Sequence, residues 1–534
     1  MAFSSARLLQ LLHLALLSAP SLGVTVLGPV TELHLTNKVI APDGFERSSI
    51  VVDGTFPGPI IAANKGDKFS VNLHVQDQLT DNTMLRSTSI HWHGILQHNT
   101  SWEDGPSFVA QCPIAANHSF LYEFQAGDAA TGQAGTFWYH SHLSTQYCDG
   151  LRGPLIIYDP HDPLKHLYDI DDASTVLSVG DWYHYPAPSA PALALANSTL
   201  INGLGRYQGG PASPLAVITV TKGKRYRFRL ISMSCDPSHV WRQDIFIDGH
   251  EMTVIEADGV SHAPTTVDSF EIFAGQRYSF VLHANQKVGN YWVRGNPSIG
   301  ILGFEGGINS AILRYVGAPD AEPTTNDTSS NPLKETDLHS LTGTPVPGQP
   351  FPGGADVNIN LQMSLDFATG QFEVNGAPFV NPTAPVLLQI LSGAQTAQDL
   401  LPPGTVYGLP PNKVIEISLP GGSPGAPHPF HLHGHNFWVV RSAGNSTYNY
   451  FDPVRRDVLN TGPALTDNVT IRFVTDNAGP WFFHCHNIWH LEVGLAVVFA
   501  EDIPTIQGEQ KNGQVPQNWD ELCPIYDSLT ADQL

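Results

Sequence analysis

Three observations predict an all-β chain of three Greek-key β-barrel or sandwich domains. The 534 residues exceed one ordinary domain. Gly (48) and Pro (42) are abundant, only 14% of residues are charged, and Val, Thr, Ser and aromatic runs lie between the glycines and prolines. That is the texture of short strands joined by turns. Phrases then recur at long range, which marks duplicated units. The formal charge of −23, with no Lys/Arg cluster, argues against nucleic acid and anionic membranes as partners.

Residues 1–23 read as a secretory signal. Arg7 precedes an apolar run from Leu8 to Leu17, and Pro20, Ser21 and Gly23 follow. The run is too short to span a bilayer, and no later stretch is long and apolar enough to do so. A secreted, extracellular chain with no membrane anchor is therefore expected. Six N-x-S/T sequons, at Asn99, Asn117, Asn197, Asn326, Asn445 and Asn468, agree as glycosylation candidates.

The first domain, 24–159, opens with alternating strands at Glu32 to Ile40, Ser48 to Val52 and Lys68 to His74. It carries His91-Trp92-His93-Gly94 and then Trp138-Tyr139-His140-Ser141-His142. The second, 160–325, holds a muted copy, with Arg294 and Asn296 where histidines would stand. Its strand Arg225 to Leu230 echoes Lys68 to Leu73, and Pro186 to Ala196 reads as an internal loop. Ala318 to Gly354 lacks periodicity and reads as a surface connection. The third domain, 326–534, repeats the first: Phe430-His431-Leu432-His433-Gly434, then Trp481-Phe482-Phe483-His484-Cys485-His486.

On a strand, each His-x-His presents both imidazoles from one face. Four such pairs supply eight ligands: His91, His93, His140, His142, His431, His433, His484 and His486. Alternation sends Cys485 to the opposite face, where His428 and His490 remain to join it. A lone Cys with two histidines fits a trigonal blue-copper site, whereas zinc favours closed four-ligand sets. Eleven donors suffice for one such copper and a cluster of three further metals. His435 reads as a supporting residue. With Cys485 as thiolate, Cys112, Cys148, Cys235 and Cys523 can form two disulfides, with three pairings open.

Together these phrases resemble the multicopper oxidases, and Trp138 to Pro154 resembles basidiomycete-type laccases in particular. The resemblance covers essentially the whole mature chain. It implies cupredoxin-like domains and four copper ions: one type 1, one type 2 and two type 3. By motif position it implies a type 1 site of His428, Cys485 and His490, with Leu495 as a non-coordinating axial residue. His91 and His431 would hold the type 2 ion. His93, His140 and His486 would hold one type 3 ion, and His142, His433 and His484 the other. The implied disulfides are Cys112–Cys523 and Cys148–Cys235.

The same resemblance implies oxidation of phenols and aromatic amines one electron at a time, with O2 reduced to water, and roles in lignin degradation and detoxification. His490 would be the electron entry and Asp236 the carboxylate that takes the phenolic proton. Asp104 and Asp457 match carboxylates that supply protons to the oxygen cluster. Two positions depart from the family pattern, because Asn487 and Ile488 stand where Ile and Asp are usual. The segment Ser238 to Asp244 is more elaborate than usual and is expected to border the donor pocket, with Trp241 either stacking on a donor or covering the core. A ferroxidase would want acidic iron ligands near the type 1 edge, and an ascorbate oxidase would carry Met at position 495. A copper carrier would have no use for eight clustered histidines. A monomer is expected.

Overall fold

The computed structural model describes all residues except 1–24, 76–78, 127–131, 237–242, 327, 342, 397–400, 402–403, 512–513, 531–532 and 534. The signal-peptide reading lies outside the described residues, as does Ser238 to Arg242 with Trp241. Only the strand course of Gln243 and Asp244 is described.

The strands assemble in three consecutive groups, and the all-β expectation holds. Residues 26–158 form a five-stranded and a four-stranded sheet, and residues 176–315 a seven-stranded and a five-stranded sheet. Residues 357–501 form two five-stranded sheets and a two-stranded ribbon. Among the described residues no sheet draws strands from two groups. We propose domain boundaries near residues 159 and 325 on that ground. The sheets mix parallel and antiparallel neighbours: Val30–Ile40 runs parallel to Lys68–Val75, which pairs antiparallel with His118–Gln125.

Two burial patterns separate ordinary strands from those that carry the repeated phrases. Along Lys68–Val75 burial alternates, with Phe69, Val71, Leu73 and Val75 inside. Each such side chain contributes about 1.5–3 kcal/mol when fully buried. Gly135–Ser141 and Gly479–Cys485 are instead buried at every position. A strand covered on both faces needs apolar or fully paired residues throughout. The aromatics between the histidines meet that need: Trp92, Trp138 and Trp481 are fully buried.

One apolar core joins the first and last groups, holding Trp92, Phe137 and Leu155 together with Phe379, Phe482 and Val498. Another joins the second and third groups. The C-terminal tail was not anticipated as helical. It forms short helices at Ile503–Lys511, Gln517–Asp520 and Leu522–Asp527. Trp519 and Leu522 enter the core shared with the first group, and Trp519 Nε1 donates to Ala110 O at 3.0 Å. The Cys112–Cys523 disulfide ties this tail down, and Cys148–Cys235 links the first group to the second. Cys485 is the remaining, buried cysteine.

The Arg294 of the muted copy forms a two-point ion pair with Asp248, at 2.8 and 2.9 Å, so this position is structural. Asn99, Asn117 and Asn326 are exposed, while Asn197, Asn445 and Asn468 are half-buried. No described helix is long and apolar enough to cross a membrane.

The disulfide Cys112–Cys523 spans 411 residues of sequence, so its loss should release much chain entropy. Cys112→Ser with Cys523→Ser should cost about 2–5 kcal/mol. It should shorten the half-life at elevated temperature and leave the copper spectrum intact. An unchanged thermal half-life would show that packing alone holds the tail.

Candidate metal centre

The strand Gly479–Cys485 pairs with Pro429–Leu432 so that His484 lies opposite His431 and Cys485 opposite Phe430. In the first group His91 lies opposite His140 across Ile90–His93 and Gly135–Ser141. All eight histidines of the four pairs are buried. Gly94 and Gly434 end the two His-x-His phrases at φ +91° and +72°, a backbone form that side chains resist. A Cβ on Gly94 would also collide with the Arg277 guanidinium.

Inward-facing nitrogens approach closely. His91 Nε2 lies 3.3 Å from His431 Nε2. His484 Nε2 lies 3.1 Å from His433 Nε2 and 3.4 Å from His142 Nε2. His486 Nε2 lies 3.2 Å from His93 Nδ1. The His140 ring centroid is 5.7 Å from that of His93, 5.4 Å from His486 and 5.5 Å from His91. Distance alone also groups His91 with His433 and with His93 and His140, so the eight rings form one continuous cluster.

The opposite nitrogens reveal the protonation. Nδ1 of His91 faces Asp104 O at 2.8 Å, that of His431 faces Asp457 O at 3.0 Å, that of His140 faces Ser141 O at 2.9 Å, and that of His484 faces Cys485 O at 3.0 Å. A carbonyl oxygen only accepts, so each of these Nδ1 atoms carries the proton and each Nε2 presents a lone pair. His433 Nδ1 does the same to the Asp104 carboxylate at 2.8 Å. Burial first, and then neighbouring charges, hold His93, His140, His142, His431, His433 and His486 well below the ordinary imidazole range. Burial lowers His484 to about 3. These are neutral imidazoles whose lone pairs face one another across gaps of 3.1–3.4 Å. Cations fit such a donor set, and protons do not.

On the other face of the same strand, Cys485 Sγ lies 3.6 Å from both His428 Nδ1 and His490 Nδ1, which are 3.1 Å apart. The three residues are buried. Burial pushes the Cys485 thiol well above its ordinary range, the Asn487 backbone lowers it, and the Asp236 charge raises it again. A thiol so placed ionises only beside a cation. Two imidazoles and one thiolate suit copper. The far nitrogen of His428 meets Ser423 Oγ at 2.7 Å. Phe372 packs its ring 4.7 Å from that of His490. Leu495 is fully buried in the same apolar cluster as Cys485, and its carbonyl accepts the Cys485 N–H at 3.0 Å.

The carboxylates occupy distinct places. Asp104 joins two donor sets, with Oδ2 on His433 Nδ1 and Oδ1 3.3 Å from His91 Nδ1. Asp457 lies 3.5 Å from His93 Nε2 and 3.6 Å from His431 Nδ1. Burial pushes its carboxyl up to about 6, against the pull of Arg277, which grips both its oxygens at 2.6 and 2.8 Å. Asp236 is buried, and its backbone N–H donates to Asp181 Oδ2 at 2.7 Å. The Cys235 N–H donates to Asp181 Oδ1 at 2.8 Å. His490 keeps 7% of its surface exposed. His435 bonds Glu501 at 2.8 Å, in keeping with a supporting role.

Several site residues carried no signal in the sequence. Arg277, Asp181, Ser423 and Phe372 sit in no repeated phrase. Gly275, at φ +83°, approaches so closely that a Cβ would lie 2.9 Å from atoms of both His93 and His486. The departing residues have local duties. Asn487 caps the helix Ile488–Glu492, its Oδ1 accepting the Trp489 N–H at 3.1 Å, and Ile488 is buried.

Three multicopper oxidase family models match the chain, over residues 34–162, 173–318 and 379–504. A laccase-2 of Pleurotus ostreatus is 57% identical over 99% of this chain and 98% of its own length. A laccase-2 of Trametes versicolor is 59% identical over 95% of this chain and 96% of its own. Among solved structures, the laccase of Botrytis aclada matches at 30% identity with TM-score 0.80, covering 96% of this chain and 94% of its own. Fet3p, described as a multicopper oxidase that functions in iron import, matches at 27% identity and TM-score 0.80, covering 95% of this chain and 98% of its own. Laccases and multicopper oxidases bind four coppers: one type 1, one type 2 and two type 3. Matched in all three strand groups and nearly end to end by laccases, the chain belongs to the multicopper oxidase family, as an oxidoreductase of its laccase branch.

Proposed function

We propose that this chain is a secreted laccase acting on phenols and aromatic amines, with roles in lignin degradation and detoxification of lignin-derived products. Its N-terminal apolar run and its sequons support secretion, and the six asparagines are candidate glycan sites. The observation that carries the catalytic reading is the strand end at His484 to His486. Cys485 meets His428 and His490 on one side, while His484 and His486 enter the histidine cluster on the other.

When bound, the coppers supply one-electron steps, collecting four electrons from single-electron donors for one O2. His428, Cys485 and His490 would hold the type 1 ion. His91 and His431 would hold the type 2 ion, and the sets His93, His140, His486 and His142, His433, His484 the type 3 pair. Three consecutive residues link the donor-side thiolate covalently to two imidazoles of the oxygen side. No water-filled gap interrupts that link, because the strand is buried throughout.

Asp236 is the group proposed to accept the phenolic proton as the donor is oxidised. Asp181 supports this by gripping the backbone of both Cys235 and Asp236, which fixes where the carboxylate starts. Asp104 and Asp457 are proposed to hold protons beside the cluster. Their contacts with His91, His93, His431 and His433 put them in range. Leu495, buried beside Cys485, would offer the type 1 ion no ligand atom.

Three expectations test this reading. The copper-loaded chain should show intense blue absorption and take up oxygen with a methoxyphenol faster than with ferrous iron or ascorbate. Cys485→Ser should abolish both the colour and the turnover, and a coloured, active variant would refute the assignment.

Asp236→Asn should slow phenol oxidation at acidic pH by about 10²–10⁴-fold, the usual weight of general-base catalysis. It should spare non-phenolic donors. Equal losses on both donor types would sink the role.

Asp104→Asn should keep the blue absorption and lower turnover about 10–100-fold with every donor, as expected for a group that orients ligands and holds protons. Full turnover in the variant would remove Asp104 from the oxygen chemistry.

A further inference from the structure

A second histidine pair, on the outer surface of the first strand group, takes no part in the chemistry above. Val30–Ile40 and Lys68–Val75 run parallel, with His34 opposite His74 and Glu32 opposite Asn72. Alternation turns Leu33, Leu35, Val71 and Leu73 into the core and leaves Glu32, His34, Asn72 and His74 toward solvent. The two imidazoles stack with centroids 4.8 Å apart and planes within 7°.

Nε2 of each ring lies 3.8 Å from the same atom, Glu32 Oε2. That separation is too long for a hydrogen bond. It is shorter than about 4.1 Å, the sum of one Zn–N and one Zn–O bond. A cation seated there draws on all three side chains once the two half-exposed rings, now stacked, turn their Nε2 edges toward it.

Hydrogen-bond partners also orient the rings. Asp53 Oδ1 lies 3.2 Å from His34 Nδ1 and accepts the His34 backbone N–H at 3.0 Å. The Asp53 N–H donates in turn to His34 O at 2.9 Å. A proton held on Nδ1 by that carboxylate leaves Nε2 as a lone pair facing Glu32, the carboxylate–histidine–metal arrangement. The Asn72 amide nitrogen lies 2.9 Å from His74 Nε2 and donates to it, so this nitrogen carries a lone pair, which a cation would take over from that hydrogen bond.

We propose that Glu32, His34 and His74 form a surface site for a borderline divalent transition metal, Zn2+ or Cu2+, separate from the resident coppers. Two imidazoles and one carboxylate favour these ions over Mg2+ or Ca2+, which take oxygen ligands. The side chains are 64%, 37% and 30% exposed respectively, so the site is open to solvent and water completes the shell. Bound metal clamps two neighbouring strands to each other and, binding only the folded chain, raises its thermal stability.

The test is equilibrium dialysis of the copper-loaded full chain against Zn2+ alone and, separately, Cu2+ alone, followed by metal analysis. The wild type should retain about one additional equivalent of the preferred ion, with imidazole nitrogen coupling in the spectrum of added Cu2+. The two arms identify which ion is preferred. His34→Thr and His74→Thr, which suit exposed strand positions, should abolish retention. Asp53→Asn should weaken it about 10–100-fold. Blue absorption and phenol turnover without added metal should match wild type and report intact folding. Wild-type retention no greater than that of the two threonine variants overturns the site.

Discussion

Eight imidazoles can share one buried space only if bare nitrogens face inward, and five of the rings turn Nδ1 outward to an acceptor. The rest of the structure follows from that constraint. Four of the outward acceptors are backbone carbonyls, of Asp104, Ser141, Asp457 and Cys485. Backbone carbonyls cannot swap roles with the ring, so the tautomer is dictated by the path of the chain and not by a side chain that could rotate away. The inward lone pairs then repel until cations are present, which couples metal loading to the stability of the junction between the first and third strand groups. The fully buried strands, the aromatics between the histidines and the shared core across that junction all serve to keep water from relieving the repulsion.

The second strand group contributes no ligand but clamps the junction. Arg277 donates to Thr136 O in the first group and grips Asp457 in the third, while its neighbour Asp258 binds Arg456. Both arginines are fully buried. Removing one partner from such a pair costs about 3–5 kcal/mol, because the other charge is left buried alone. A carboxylate gripped at both oxygens also cannot swing toward a passing metal ion. Asp457 therefore stays at 3.5–3.6 Å from two imidazoles as an outer partner.

The histidines were legible because two physical periods made them so. Strand alternation put paired imidazoles on one face, and duplication repeated the phrase, so each copy vouched for the others. The all-β architecture was legible from the same texture of alternation and turns. Arg277, Asp181 and Gly275 were not, because each acts through contacts with residues far away in sequence, and Ser423 sits in a loop with no repeated phrase, so none leaves a local pattern. The helical tail was missed for a related reason. Trp519 and Leu522 are apolar residues whose burial depends on a partner surface some four hundred residues upstream. Asn487 was legible as a departure but not in its duty: it reads as a polar group near the metal, and in the fold it caps the helix that carries His490.

That cap bears on how His490 differs from His428. Both rings turn Nδ1 toward Cys485, so with a cation held there each would carry its proton on Nε2. His428 gives that proton to Ser423 Oγ at 2.7 Å, deep in the fold. His490 Nε2 meets the Asn487 amide nitrogen at 3.5 Å, and the amide's oxygen is already committed to the Trp489 N–H. A nitrogen that carries hydrogens does not accept one, so Asn487 orients the ring without taking its proton. Beside the same atom stands Gly425, where a Cβ would sit 3.0 Å from His490 Nε2. The absence of that Cβ lets the chain at Gly425 pass close to the His490 ring. Of the two imidazoles beside Cys485, one meets a hydroxyl and the other lies beside the amide of Asn487.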